Sequence, residues 1–177
     1  AALQQYFLND NTACYVLTGD NYPHRIPMRN DEERLNVYNE SGEDGLRGYL
    51  GTPEEIDFDR INKELSEFKA GKDIIEIKHM GREDGDISYD ETDFTGIKVL
   101  ILEWTHGGSE YLKGVDIPVF LESSPEETKA RRIKRGRDEN AASPFICRVV
   151  ELEQEKLDLQ GKNARIVVGK DGKVYEQ

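Results

Sequence analysis

Cysteine is scarce in this sequence. Two residues in 177, Cys14 and Cys147, are too few for a disulfide framework, and both sit among apolar neighbours, so buried free thiols in a reducing compartment are expected. Long apolar runs are missing too: no stretch approaches the ~18 apolar residues a membrane-spanning helix needs, and no signal peptide is legible. No His/Cys cluster has zinc spacing. Positive charge is the minority sign, with 24 Lys and Arg against 36 Asp and Glu and a formal net charge of -12. That balance argues against a general nucleic-acid binder, because phosphate backbones require a broad basic surface. Internal repeats and low-complexity tracts are absent. A chain of this length, 36% hydrophobic and 34% charged, is expected to form one α/β-sized domain over residues 1–177, located in the cytoplasm and away from membranes.

Within this acidic chain the cations are unevenly spread. Lys129, Arg131, Arg132, Lys134, Arg135 and Arg137 fall inside nine positions, leaving 18 Lys and Arg for the other 168 residues. Arg presents a planar fork of donors that matches phosphate oxygens bidentately. The segment SSPEETKARRIKRGRDE opens like a helix, with Ser124 as cap, Pro125 at the first position and Glu127 closing a capping box. Arg131 and Arg135 then share one face with Arg132 beside them. One reading is a phosphate clamp over an active site, and the other is a solvated basic helix face.

Strand and helix signals alternate along the chain. The first ten residues read as an amphipathic helix already under way, with Leu3, Tyr6 and Phe7 spaced for one buried face and no N-terminal cap, so residues upstream of Ala1 are expected. ACYVLT (13–18) is a short apolar strand ending at Gly19-Asp20. DEERLNVY (31–38) is expected to be helical with Asn30 as cap, and the four glycines from Ser41 to Gly51 suggest a mobile loop. Thr52, Pro53 and Glu55 look like the cap, first position and capping-box acid of a helix whose core face is Ile56, Ile61, Leu65 and Phe68. IIEIK (74–78) and ISYDE (87–91) predict a hairpin, a small subdomain spanning 72–93. KVLILE (98–103), IPVFLE (117–122) and ARIVVG (164–169) are strong strand signals. A helix from Ser143-Pro144 to Gly161 lies between the last two, and Asp171-Gly172 turns into a final short strand. Apolar strands alternating with helices predict a three-layer α/β fold with a parallel sheet.

Ligands of such sheets bind beyond the carboxyl ends of the strands. The first strand delivers TGDNYPHR there, with Asp20, Tyr22, His24 and Arg25. KVLILE delivers LEWTHGG, with Glu103, His106 and two glycines. The third leads into the basic segment. Two carboxylates, a histidine and an arginine cluster suit phosphoryl transfer: one carboxylate takes the hydroxyl proton, another holds Mg²⁺, and arginines neutralise the phosphates. Each also has a plainer reading. Asp20 could cap a turn, Glu103 could be an ion-pair partner, His106 could bond locally, and His79 and Arg82 in KHMGRED could decorate a solvated loop tip.

At these residues the chain resembles P-loop kinases of the uridine kinase and phosphoribulokinase type. TGDNYPHR is similar to the segment carrying their catalytic Asp, which Asp20 matches. KVLILEWTHGG resembles their third core strand, and the Glu103-x-x-His106-Gly107 spacing is like that of phosphoribulokinase. IPVFLESSPEETKARRIKRGRDE resembles their fourth strand and Arg-bearing lid, expected here over 124–142. The likeness runs from about Ala13 to Val168. It implies an ATP- and Mg²⁺-dependent kinase acting on a hydroxyl of a small nucleoside or sugar-phosphate-like molecule, in a homo-oligomer or alone. Asp20 and Glu103 are then catalytic, Glu103 also holding Mg²⁺ directly or through water. Tyr22, His24, Arg25, His79, Arg82 and His106 meet the acceptor, and Arg131, Arg132, Arg135 and Arg137 meet the phosphates of ATP.

Two departures stand out. No G-x-x-x-x-G-K-[ST] occurs, since the Gly-Lys pairs at 71–72, 161–162, 169–170 and 172–173 are followed by Asp, Asn, Asp and Val; a P-loop is expected upstream of Ala1. Gly51-Thr52-Pro53 stands where uridine kinases carry Asp-His-Pro, and Gly51 has no carboxylate to grip a ribose, which disfavours uridine. Two alternatives stay open: an adenylylsulfate kinase-like enzyme, whose lid is also Arg-bearing, and a non-catalytic ligand-binding relative.

Overall fold

A computed structural model describes residues 2–124, 126–127 and 143–177. The basic cluster from Lys129 to Arg137, and with it most of the expected lid, lies outside the described residues. The capping box at its start is present: Glu127 N–H donates to Ser124 Oγ at 3.3 Å, and Ser124 N–H donates back to Glu127 Oε2 at 2.9 Å.

The chain divides into two compact units, Ala1–Glu32 with Thr52–Val115, and Glu33–Gly51 with Asp116–Gln177. The first holds α1 (Ala2–Asn9), β1 (Cys14–Thr18), a single 3-10 turn (Gly19–Asn21), α3 (Phe58–Lys69), the hairpin strands β2 (Ile74–Met80) and β3 (Ile87–Asp93), and β4 (Val99–Glu103). β1 and β4 pair in parallel with Cys14 opposite Val99 and Thr18 opposite Glu103, so both strands end side by side. The antiparallel hairpin pairs Ile74 with Asp93 and Met80 with Ile87. Leu17, Tyr22, Ile56, Phe58, Ile61, Leu65, Ile75, Ile77 and Phe94 make one core. Its α3 contribution follows from the expected spacing of Ile61, Leu65 and Phe68 along one helix face.

The start of α3 differs from the expectation. Residues 52–55 form a bend and turns, and the helix is capped five residues after Thr52, where Asp57 Oδ1 accepts from Arg60 N–H at 3.0 Å. Either segment offers a capping residue, and tertiary pairing decides between them. Asp57 N–H donates to Tyr22 O at 2.8 Å and His24 N–H donates to Glu55 O at 3.0 Å, so Ile56 is held in an antiparallel bridge to Pro23.

The second unit contains β5 (Val119–Leu121), α4 (Pro144–Gly161), β6 (Ile166–Val168) and β7 (Val174–Glu176), with β5 and β6 parallel and β7 antiparallel to β6. Ser143 caps α4 by accepting from Ile146 N–H at 3.2 Å, as its Ser-Pro start predicts. α2 (Pro27–Tyr49) begins in the first unit, and its residues from Glu33 onward belong to the second.

The loop expected over Ser41–Gly51 is helical through Tyr49, with one break at Gly42, whose φ of 67° and ψ of -162° suit a residue without Cβ. Packing overrides the poor propensity of these glycines: Leu46 and Leu50, one turn apart, are fully buried against Val149 and Leu152 of α4. Paired charges flank that contact. Arg34 Nη2 meets Glu153 Oε1 at 2.8 Å, Arg148 Nε meets Glu43 Oε2 at 2.8 Å, and Lys156 Nζ donates to Leu50 O. Among the described residues no helix is long and apolar enough to cross a membrane.

Candidate active site

The carboxyl ends of β1 and β4 bring two of the expected residues to one place. Glu103 closes β4 with its side chain exposed, beside Thr18. Asp20 lies two residues past Thr18, in the 3-10 turn closed by Tyr22 N–H to Gly19 O at 3.1 Å, and is also exposed. The turn is pressed against the neighbouring strand. A Cβ built on Gly19 would lie 1.9 Å from Trp104 Cγ and 2.3 Å from Trp104 Cβ. Trp104 in turn packs near Tyr22, Phe58 and His106, with ring centroids 6.2, 5.5 and 5.4 Å away.

The hairpin reaches the same turn. Met80 N–H donates to Asn21 Oδ1 at 3.3 Å, which places the end of β2, with half-buried His79, beside residue 21. His79 Nε2 lies 3.9 Å from Asp90 Oδ2 across the ladder. Arg82 is exposed in the hairpin turn, its N–H donating to Asp86 Oδ2 at 3.2 Å. The hairpin tip is tied to the start of α2 by Arg29, which donates to both oxygens of Asp84 at 3.1 and 2.6 Å.

The remaining acceptor candidates differ in accessibility. His24 is exposed, its Nε2 2.9 Å from Pro53 O, on a cleft of about 230 Å³ that Asp57, Asn62 and Tyr111 also line. Arg25 is half-buried, and His106 is buried beside Trp104. Tyr22 departs most from the expectation. It is fully buried and its hydroxyl donates to Glu64, so no open face remains for a ligand. Arg131, Arg132, Arg135 and Arg137 lie outside the described residues.

Beneath the turn is a buried polar network absent from the sequence reading. Glu64 is 1% exposed and Lys78 is 2% exposed. Glu64 accepts from Tyr22 Oη, from Arg60 Nε at 2.6 Å and from Lys78 N–H at 3.2 Å. Lys78 Nζ donates to Pro23 O at 2.9 Å and lies 3.7 Å from Asp57 Oδ2. Desolvation raises the Glu64 carboxyl above the usual carboxylate range against the pull of its donors. Burial, reinforced by the Glu64 hydrogen bond, raises the Tyr22 phenol, and burial lowers the Lys78 ammonium despite Asp57. A signal for Glu64 was available: with Ile61, Leu65 and Phe68 it occupies i, i+3, i+4 and i+7, so the apolar stripe of α3 includes a carboxylate. A second buried pair joins Asn30 Nδ2 to Glu55 Oε1 at 2.9 Å.

Among the described residues no three His, Cys, Asp or Glu side chains cluster to form a complete metal cage. The chemistry on display is one exposed carboxylate at each of two adjacent strand ends. That arrangement can take up a proton at one oxygen and hold a hydrated cation at another.

No protein-family model matches the chain. It is 75% identical over 176 residues, 99% of its length, to the bifunctional alpha-galactosidase/sucrose kinase AgaSK of Mediterraneibacter gnavus, and it spans 19% of the length of that relative. Among solved structures it is similar to phosphoribulokinase from Rhodobacter spheroides, with a TM-score of 0.71 and 12% identity, covering 94% of this chain and 63% of that one. The α/β fold of this chain is therefore that of phosphoribulokinase, a P-loop NTPase fold.

Proposed function

We propose that this chain carries a sugar kinase activity, moving the γ-phosphoryl group of ATP to a hydroxyl of a sugar, with sucrose as acceptor. One observation carries the reading. The relative that shares three-quarters of its residues is named for two activities, and of the two, the phosphoribulokinase fold of this segment suits the kinase. Asp20 is the base that accepts the proton of the attacking hydroxyl, and Glu103 faces the metal side.

Mg²⁺ fits this site in kind. It keeps several waters and is commonly held by one or two carboxylates together with substrate phosphates, so exposed Glu103 at the end of β4 suffices without a cage. When bound, the ion neutralises charge on the transferring phosphates. Sucrose is neutral, so its recognition falls to hydrogen bonds and ring faces. The cleft beside His24, with Asp57, Asn62 and partly exposed Tyr111, offers both. A neutral acceptor also leaves the basic cluster to the nucleotide.

The full protein, given ATP, Mg²⁺ and a panel of sucrose, free hexoses, nucleosides and ribulose 5-phosphate, is expected to phosphorylate sucrose best. Removing Mg²⁺ with EDTA should abolish transfer. Absence of product from every sugar would overturn the proposal. Arg131→Ala and Arg135→Ala should each raise KM for ATP or lower kcat by about ten-fold, because desolvated charge-assisted contacts to phosphate contribute roughly 1.5–3 kcal/mol. Unchanged kinetics in both variants would return the cluster to a solvated helix face.

A further inference from the structure

Three consecutive residues after Asp20 are each held, one by α3 and two by β2. Asn21 accepts from Met80 N–H of β2, Tyr22 donates to Glu64 of α3, and Pro23 O accepts from Lys78 Nζ of β2. On the other side Gly19 is pinned by Trp104. Asp20 is thus exposed on a turn whose flanking residues are hydrogen-bonded to α3 and β2 and packed against Trp104 just past β4.

Such a network is an expensive way to hold a core together. Buried ions lose hydration, and well-packed apolar groups in their place are often neutral or stabilising. Its hydrogen bonds are directional, however, and they fix where backbone atoms sit. A displacement of about 1 Å at a catalytic group can cost about 10²-fold in rate. We propose that the buried Tyr22–Glu64–Lys78 network is a positioning device, which sets the turn carrying Asp20 against α3 and the hairpin and makes the rate depend on it more than stability does. The inference rests on the kinase reading for its kinetic part and on geometry alone for its structural part.

Tyr22→Phe removes one hydroxyl, and Lys78→Met removes the ammonium while keeping the stem. Both are tested in the full chain beside Glu64→Gln, which keeps the shape and one acceptor oxygen but turns the other into an amide donor, so that the side chain can no longer accept at both positions. The first two should lower kcat by about ten-fold or more with KM for ATP unchanged within two-fold. Hydrogen exchange at the amides of Gly19, Asp20, Asn21 and Tyr22 should quicken in both, while α3 amides keep their protection. Glu64→Gln, at the centre of the network, should lower kcat in the same way. Uniformly faster exchange across the unit would show a merely structural role and overturn the proposal, as would unaltered exchange at the turn. A Glu64→Gln variant with wild-type kcat would overturn it too. A wild-type protein inactive toward every sugar would instead sink the kinase reading, and the exchange pattern alone would then decide whether the network positions the turn.

Discussion

Asp20→Asn is expected to lower kcat for sugar phosphorylation by about 10²–10⁴, the range seen when a general base is lost, and to leave ATP affinity nearly unchanged. The base acts on the acceptor hydroxyl and mainly in the transition state, so its removal should strike kcat and kcat/KM together. Asn keeps the size and one acceptor oxygen of Asp but cannot take the proton. The fold should tolerate the change. Asp20 is exposed, and the turn around it is closed by the main-chain bond from Tyr22 N–H to Gly19 O, which does not involve the carboxylate. Steady-state kinetics with sucrose and a thermal melt on the same preparation provide the check. A variant that keeps more than a tenth of wild-type kcat with an unchanged melt would remove Asp20 from the role, and Glu103, beside Thr18 on the adjoining strand, would be the next residue to replace.

How far the sequence could be read depended on whether a signal was local. Apolar runs and turn residues placed the hairpin and six of the described strands to within about two residues at most ends, and the turn at Asp171-Gly172 announced the seventh, because period and punctuation are carried by neighbours in the chain. The cap at Ser143 and the Ser124–Glu127 capping box followed in the same way. Long-range packing was not legible. Four glycines between Ser41 and Gly51 read as a loop, yet Leu46 and Leu50 bury themselves against α4 and carry the helix to Tyr49. Thr52-Pro53 read as a helix start, but pairing with residues 22–24 delays α3 to Phe58.

For the site, strand-end logic brought Asp20 and Glu103 together, since parallel neighbours finish on one side of the sheet. It mistook Tyr22 for a pocket residue because a tyrosine two positions past a strand-end acid has two faces to choose from, and its partner Glu64 is 42 residues away. A carboxylate inside an apolar helical stripe was the one local mark of that contact.

Gly19→Ala is expected to be the most damaging single-methyl change in the first unit. The added carbon would fall 1.9 Å from Trp104 Cγ and 2.3 Å from Trp104 Cβ. A new side-chain rotamer cannot resolve this, because Cβ moves only with the backbone. Trp104 is also hemmed in by Tyr22, Phe58 and His106. Relief requires β1 and β4 to part at the register where Thr18 faces Glu103. Overpacking of this kind costs about 1–3 kcal/mol, which for a domain of this size lowers Tm by roughly 2–4 °C per kcal/mol. The rate should fall as well, since any shift of Gly19 is passed directly to Asp20. Gly48→Ala is the matched control. Gly48 lies within helical α2, and a Cβ there meets nothing within 4 Å, so alanine should be neutral or stabilise by about 0.5–1 kcal/mol. Thermal melts of the two variants should therefore separate, Gly19→Ala falling while Gly48→Ala holds or rises. Equal Tm values would mean that β4 yields freely to a methyl group, and the close approach of Trp104 would no longer account for how the Asp20 turn is held.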